Sequence, residues 1–120
     1  MTLAFSEIVY PSPNPSGSAQ RMVSGFGWEV VESFGESWVL LATPGGGRVG
    51  FIQQKPGSDS MPVPMAAFES QDIETDVAEL RANGIDLPDP SGPGGPGTLR
   101  HTTYADPDGN RFLIWQSGKD

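Results

Sequence analysis

The chain has 120 residues, no cysteine and a formal net charge of -8, which fits one domain without disulfides, thiolate metal sites or thiol nucleophiles. So acidic a chain repels phosphate backbones and anionic lipid, and we expect neither nucleic acid nor a membrane surface as a partner. The 16 glycines and 12 prolines predict short elements joined by many turns.

The sequence also predicts where the protein resides. No apolar run approaches the roughly 18 residues of a spanning helix. The N-terminus lacks the basic-then-apolar order of a signal peptide, and the absence of cysteine suits a reducing compartment. We therefore expect a cytoplasmic protein.

The first half of the chain predicts a strand, a helix and three more strands. The first strand covers Ala4 to Tyr10, and the helix begins after Asn14, whose side chain suits an N-cap before Pro15. Gly25 or Gly27 ends this helix. The next three strands are joined by short turns and are therefore antiparallel neighbours. They cover Trp28 to Ser33, Trp38 to Thr43 and Arg48 to Gln54.

The second half predicts the same order after a linker from Lys55 to Pro64. A short strand from Met65 to Ser70 precedes a helix that is capped by Asp72 and ends at Gly84. Three further segments follow: a short strand from Ile85 to Leu87, a mobile loop from Pro88 to Gly97, and a closing hairpin that ends with Tyr104 to Trp115. The chain therefore contains two βαβββ modules, at about residues 1–55 and 64–117.

A tight turn joins the last two strands. Pro107 favours the second position of a type I turn, and Gly109 can adopt the left-handed conformation that closes it. Asp106 can accept hydrogen bonds within the turn through its carboxylate. This turn predicts a well-specified hairpin at the end of the domain.

Three segments, in this order and spacing, resemble the vicinal oxygen chelate superfamily, which includes glyoxalase I, bleomycin-resistance proteins and extradiol dioxygenases. They are Phe68-Glu69-Ser70-Gln71-Asp72-Ile73-Glu74, Leu80-Arg81-Ala82-Asn83-Gly84 and Asp106-Pro107-Asp108-Gly109-Asn110. The resemblance implies an α+β fold in which two βαβββ modules form an incomplete barrel around a cavity, with helices on the outer face. It also implies a homodimer.

Metalloenzymes of that superfamily carry His or Glu ligands at a few inward strand positions. The resemblance places these positions at Glu7, Met65 and Leu113, with a fourth near Phe51 to Gln53. Thioether and alkyl groups do not hold the divalent ions that this chemistry uses, and one carboxylate does not make a metal site. We therefore expect neither a metal nor another cofactor.

Side-chain alternation predicts which residues face the cavity. If Leu113 faces inward, Arg111 and Trp115 share its face, whereas Phe112 and Ile114 pack beneath a helix. A shift of one residue in register would reverse every assignment. The same alternation turns these residues of three other strands inward: Glu7, Val9, Met65, Ala67, Glu69, His101 and Thr103.

Two groups of residues are candidates for function. Trp38, Phe51, Met65 and Trp115 could form the wall of a cavity for a flat or aromatic ligand, or could belong to an ordinary core. The candidate catalytic groups are a carboxylate and the only histidine, Glu7 and His101. The alternatives are a strand-edge carboxylate in water and a surface histidine near a loop.

By this resemblance we expect binding of a small, partly apolar organic molecule in the cavity, without a metal, as in bleomycin resistance. The predicted ligand-binding residues are Glu7, Val9, Trp38, Phe51, Met65, His101, Thr103, Leu113 and Trp115. One alternative is a lyase, isomerase or dioxygenase-type enzyme that uses Glu7, with His101 or a metal as its further group. Another is a structural subunit whose own side chains fill the cavity.

Overall fold

The computed structural model describes residues 1–54, 64–93 and 98–118, and the chain forms two compact units. The N-terminal unit is Glu7–Pro64, and the C-terminal unit combines Met1–Ser6 with Met65–Asp120. The first strand therefore contributes residues to both units. Of the predicted linker from Lys55 to Pro64, residues 55–63 lie outside the described residues.

The N-terminal unit has the predicted order of elements. Its strands are arranged β2-β3-β4-β1, with β2, β3 and β4 antiparallel and β1 parallel to β4. The elements are β1 (Ala4–Ser12), α1 (Pro15–Phe26), β2 (Glu29–Phe34), β3 (Trp38–Ala42) and β4 (Arg48–Gln53).

The ends of helix α1 follow from its sequence. The side chain of Asn14 accepts a hydrogen bond from the Gly17 N–H at 3.1 Å, which satisfies one of the amides that a helix leaves free at its start. Gly27 ends the helix with a φ of 74°, a left-handed conformation that glycine adopts without strain. Both ends agree with the sequence prediction.

Strand β1 is longer than predicted. It was expected to end at Tyr10, but its parallel pairing with β4 continues through Pro11 and Ser12. The Gln54 N–H then donates to the Ser12 carbonyl at 2.8 Å. Pairing with β4 therefore outweighs the tendency of Pro11 to end a strand.

The C-terminal unit contains four strands and one helix. Its strands are arranged β1-β5-β7-β6, with β5 parallel to β7 and β6 antiparallel to β7. The further elements are β5 (Met65–Glu69), α2 (Ile73–Ala82), β6 (Leu99–Ala105) and β7 (Arg111–Ser117). The predicted closing hairpin is confirmed by the pairing of β6 with β7.

The predicted short strand from Ile85 to Leu87 is wrong. These residues have no regular secondary structure, and the nearest pairing is one isolated bridge between Ser91 and His101. The guanidinium of Arg81 donates two hydrogen bonds to the Leu87 carbonyl, at 3.1 and 2.8 Å. The Leu87 carbonyl thus accepts from Arg81 and not from the N–H group of a neighbouring strand. The segment is therefore fixed in place without joining a sheet.

The loop predicted from Pro88 to Gly97 is described only as far as Pro93, and residues 94–97 lie outside the described part. Within that part, the Thr102 hydroxyl donates to the Pro88 carbonyl at 2.9 Å. Arg100 donates to the Gly92 carbonyl at 2.8 Å. Side chains of β6 therefore hold this stretch of the loop.

Each unit packs its helix against one face of its strands, and the predicted α+β class is confirmed. The core beneath α1 consists of Ala19, Val39, Leu41 and Phe51, and the core beneath α2 consists of Ile73, Val77, Leu87 and Ile114. Neither described helix combines the length and apolarity needed to cross a bilayer.

Candidate functional site

Three of the predicted cavity residues lie on the face of the N-terminal unit that is turned away from α1. Val9 pairs with Gly50, and a side chain added at Gly50 would contact the Trp38 ring. Val9, Gly50 and Trp38 therefore share a face. Glu7 lies two residues before Val9 and therefore has the same orientation. The exposed fraction of Glu7, Val9 and Trp38 is 0% in each case.

The Trp38 indole is oriented by an acidic residue that the sequence analysis did not identify. Its ring N–H donates to the Glu32 carboxylate at 3.2 Å. A register shift between Val30 and Glu32 interrupts the alternation of β2. Because this bulge leaves no trace in the residue pattern, alternation alone could not place Glu32 on the same face as Trp38.

Phe51 is the exception among the predicted cavity residues of this unit. It belongs to the core beneath α1, together with Ala19 and Leu41. Its ring lies 6.0 Å from the ring of Tyr10, its register partner in β1. The expectation that Phe51 faces the cavity is therefore corrected, because alternation in β4 turns Gly50, not Phe51, away from the helix.

In the C-terminal unit, the alternation predicted from the sequence is observed. Ile114 packs beneath α2, so its neighbours Leu113 and Trp115 lie on the opposite face. Register pairing adds four more residues to that face. Leu113 pairs with Ala67 and Thr103, and Trp115 pairs with Glu69 and His101. Met65, two residues before Ala67, has the same orientation.

A serine of β1 fixes the indole of Trp115. The ring N–H of Trp115 donates to the Ser6 hydroxyl oxygen at 3.1 Å, and the Ser6 hydroxyl donates to the Ala67 carbonyl at 3.0 Å. Ser6 is not among the residues predicted from the sequence. Its signal is a hydroxyl in a strand of mainly apolar residues, which indicates a specific partner once the strand is partly buried.

A pocket of about 460 Å³ lies where β5 leads into α2, at the carboxyl ends of the parallel strands β5 and β7. We call it the polar pocket, and it is lined by Glu69, Ser70, Gln71, Gln116 and Ser117. Alternation had placed Glu69 on the inward face, but the other four residues were not identified. Ser70 is the last residue of a predicted strand, and Gln71, Gln116 and Ser117 follow the ends of predicted strands, where the period of two stops being informative.

The backbone amides at the start of α2 already have acceptors within the protein. The Ile73 N–H donates to the Gln116 side-chain oxygen at 2.8 Å, and the Thr75 N–H donates to the Asp72 carboxylate at 3.2 Å. The Asp72 N–H donates to the Ser70 hydroxyl at 3.1 Å. This end of the polar pocket therefore offers few free N–H donors to a ligand.

Asp76 supports the wall of the pocket from behind. Its carboxylate accepts hydrogen bonds from the Ser70 hydroxyl at 2.6 Å, and from the Thr2 N–H and hydroxyl at 3.1 and 2.5 Å. Burial alone would raise the pKa of Asp76, but the hydrogen bonds from Ser70 and Thr2 and the nearby positive N-terminus outweigh it and lower the pKa. The ionised carboxylate thus holds Ser70 in position.

The residues at the ligand positions suggested by the resemblance do not fit a divalent metal. Met65 and Leu113 are both buried and offer a thioether and an alkyl group. Within residues 1–54, 64–93 and 98–118, no three His, Cys, Asp or Glu side chains are close enough together to hold an ion. The expected lack of a metal or other cofactor nevertheless stays a prediction.

The comparison with protein families identifies the chain. The model for "Glyoxalase/Bleomycin resistance protein/Dioxygenase superfamily" matches residues 6–114. The chain belongs to this superfamily. The search of curated proteins gives no match to this superfamily member.

Solved structures share the fold of this superfamily member at low sequence identity. A Legionella pneumophila protein described as an NAD-dependent benzaldehyde dehydrogenase is 15% identical with a TM-score of 0.69, covering 92% of this chain and 96% of that one. Methylmalonyl-CoA epimerase from Mycobacterium tuberculosis is 15% identical with a TM-score of 0.67, covering 96% and 88%. A superfamily member from Vibrio splendidus 12B01 is 21% identical with a TM-score of 0.58, covering 97% and 100%. At these identities the likeness shows the fold alone.

Proposed function

We propose that the chain binds a small, partly apolar organic molecule in the polar pocket of the C-terminal unit. The observation that carries this proposal is the pocket itself, whose volume of about 460 Å³ suits a small ligand. The name of the superfamily includes bleomycin-resistance proteins, so a binding role is consistent with membership.

The lining of the pocket explains why a mixed ligand is expected. Glu69, Gln71 and Gln116 each combine a polar end with aliphatic carbons that can contact an apolar body. The Gln116 amide is already engaged, because it accepts from the Ile73 N–H and donates to the Gln71 carbonyl at 3.0 Å. Gln116 therefore forms a fixed wall, while Glu69 and Ser117 provide the polar contacts.

None of the ligand-binding residues predicted from the sequence lines the polar pocket. They stay a separate prediction of ligand contacts, from which Phe51 is omitted because it packs beneath α1. The retained set is Glu7, Val9, Trp38, Met65, His101, Thr103, Leu113 and Trp115.

A fragment titration followed by amide NMR tests the binding role. With a library of single-ring aromatic and heterocyclic compounds, we expect shift changes at residues 69–71 and 116–117. Ser117→Phe, which fills the pocket, should abolish these changes, whereas Ser33→Phe on exposed β2 should leave them intact. An absence of binding, or changes confined to other residues, would contradict the proposal.

A second candidate function is proton transfer by Glu7, favoured by the complete burial of this carboxylate within β1. Because one structural neighbour is a methylmalonyl-CoA epimerase, methylmalonyl-CoA in deuterated water is a suitable first probe. If Glu7 is the base, we expect the wild type to incorporate deuterium at the C2 position of the substrate and Glu7→Gln to incorporate none. Equal incorporation by both proteins, or none by either, would remove Glu7 as the base for this substrate.

We also propose that the chain forms a homodimer, as the superfamily resemblance implies. Sedimentation velocity should then give a mass near twice the 12.7 kDa of one chain. A mass of one chain at micromolar concentration would contradict the dimer without affecting the binding role.

A further inference from the structure

We propose that the polar pocket recognises a positively charged nitrogen, such as an alkylammonium group, through the Glu69 carboxylate. This inference rests on the proposed binding role and adds the chemical class of the ligand.

Among the described residues that line the pocket, Glu69 is the one ionisable side chain; the others are serines and glutamines. It is the last residue of β5 and is exposed. The ion pairs found within the described residues join other groups: the N-terminus with Glu79, Arg81 with Asp89, and Arg100 with Glu74. The Glu69 carboxylate is therefore available to a ligand.

An anionic ligand is disfavoured although the pocket adjoins the start of a helix. Helix N-termini bind anions through free N–H groups. Here the N–H groups of Gln71, Asp72, Ile73 and Thr75 already donate to side-chain oxygens. The first turn of α2 also contains Glu74 and Asp76, in addition to the capping Asp72. These acidic side chains further disfavour an anion, although Glu74 is paired with Arg100 and Asp76 lies near the N-terminal ammonium.

The neutral lining residues complement a cation. An alkylammonium group has three N–H donors and no acceptor, so it requires several oxygen atoms. Besides Glu69, the Ser117 hydroxyl and the Gln71 side-chain carbonyl supply such oxygens, and neither side chain forms a hydrogen bond within the described residues. The net charge of -8 also raises the concentration of cations near the protein.

A matched pair of ligands isolates the charge. We would titrate the protein with 2-phenylethylamine and with 2-phenylethanol, which share the aromatic body and differ in the charged group. We expect the amine to bind about fivefold more tightly, as an exposed charge-assisted contact allows. The preference should shrink between 50 and 500 mM NaCl, because salt screens exposed charges.

Two variants assign the preference to Glu69. Glu69→Gln should remove the difference between amine and alcohol, whereas Glu36→Gln, in the exposed turn between β2 and β3, should retain it. Equal affinity of the two ligands for the wild type, or a retained preference in Glu69→Gln, would overturn the inference and leave the binding role standing. Binding of neither ligand, with other fragments still bound, also overturns it; binding of no fragment overturns both.

Discussion

The indole of Trp38 occupies the space that a side chain at Gly50 would need. A Cβ built on Gly50 would come within 2.7 Å of the ring carbon Cη2, closer than real Cβ atoms approach. Gly50 pairs with Leu40 on one side and with Val9 on the other, so the strand cannot move aside. The glycine is therefore required by the tryptophan ring that covers it.

Gly50→Ala should destabilise the fold because the fully buried Trp38 ring must be displaced. We expect the free energy of unfolding in urea to fall by about 1–3 kcal/mol, the usual cost of overpacking. Gly25→Ala is the matched control: this helical glycine has open space around it and should gain about 0.5–1 kcal/mol. An unchanged midpoint in Gly50→Ala would show that the ring does not confine this strand.

Asp76→Asn should reduce stability at neutral pH because a charged acceptor of hydrogen bonds from Thr2 and Ser70 is lost. We expect a loss of about 1.5–3 kcal/mol in urea unfolding at pH 7. The exposed aspartate Asp86 provides the control, since Asp86→Asn should change stability by less than about 0.5 kcal/mol.

The pH dependence of this loss follows from the lowered pKa of Asp76. A carboxylate with a lowered folded-state pKa stabilises the protein above its unfolded pKa, and this contribution disappears as pH falls through the folded value. The difference between wild type and Asp76→Asn should therefore be constant from pH 7 to about 5 and shrink below about pH 4. A difference that grows on acidification would be inconsistent with the hydrogen-bonded carboxylate.

Asp106→Ala should loosen the turn between β6 and β7. The Asp106 carboxylate accepts from the Asn110 side chain at 2.8 Å, from the Asn110 N–H at 2.8 Å and from the Asp108 N–H at 2.9 Å. These bonds, the Asn110 side chain first, lower the pKa of Asp106. We expect faster hydrogen exchange at the Asp108 and Asn110 amides. Asp108→Ala, which removes no acceptor from them, should leave exchange at Asn110 unchanged.

Arg81→Lys should release the segment that follows α2. Lysine keeps the charge but cannot supply the two parallel donors that bind the Leu87 carbonyl. We expect a loss of about 1–2 kcal/mol in thermal unfolding analysis. Asp89→Ala removes only the exposed ion pair with Arg81 and should cost less than about 0.5 kcal/mol. Equal losses in the two variants would assign the effect to the ion pair.

The elements that the sequence predicted correctly are those with local signals. Asn14 and Asp72 cap their helices as expected, and Gly109 closes the last turn with a φ of 87°. Alternation in β7 also placed Leu113 and Ile114 on the correct faces, because one side of that strand packs against a helix. Such signals depend only on residues close together in the chain.

The features that the sequence did not predict depend on residues that are far apart. Ile85 to Leu87 has the composition of a strand, but the Arg81 guanidinium binds the Leu87 carbonyl instead. Phe51 has the size of a cavity wall, but its register with Tyr10 turns it beneath α1. The polar pocket arises where two parallel strands end side by side, and no local pattern marks that meeting point.

The hydrogen bond between Ser6 and Trp115 joins residues that are 109 positions apart. Thr2 and Asp76 are likewise separated by 74 positions. Contacts this distant in sequence form slowly, because a long loop must close before they contribute. During translation the C-terminal unit therefore cannot finish folding before its last strand leaves the ribosome. Until then Thr2 and Ser6 lack their hydrogen-bond partners, and the N-terminal residues are accessible to chaperones and proteases.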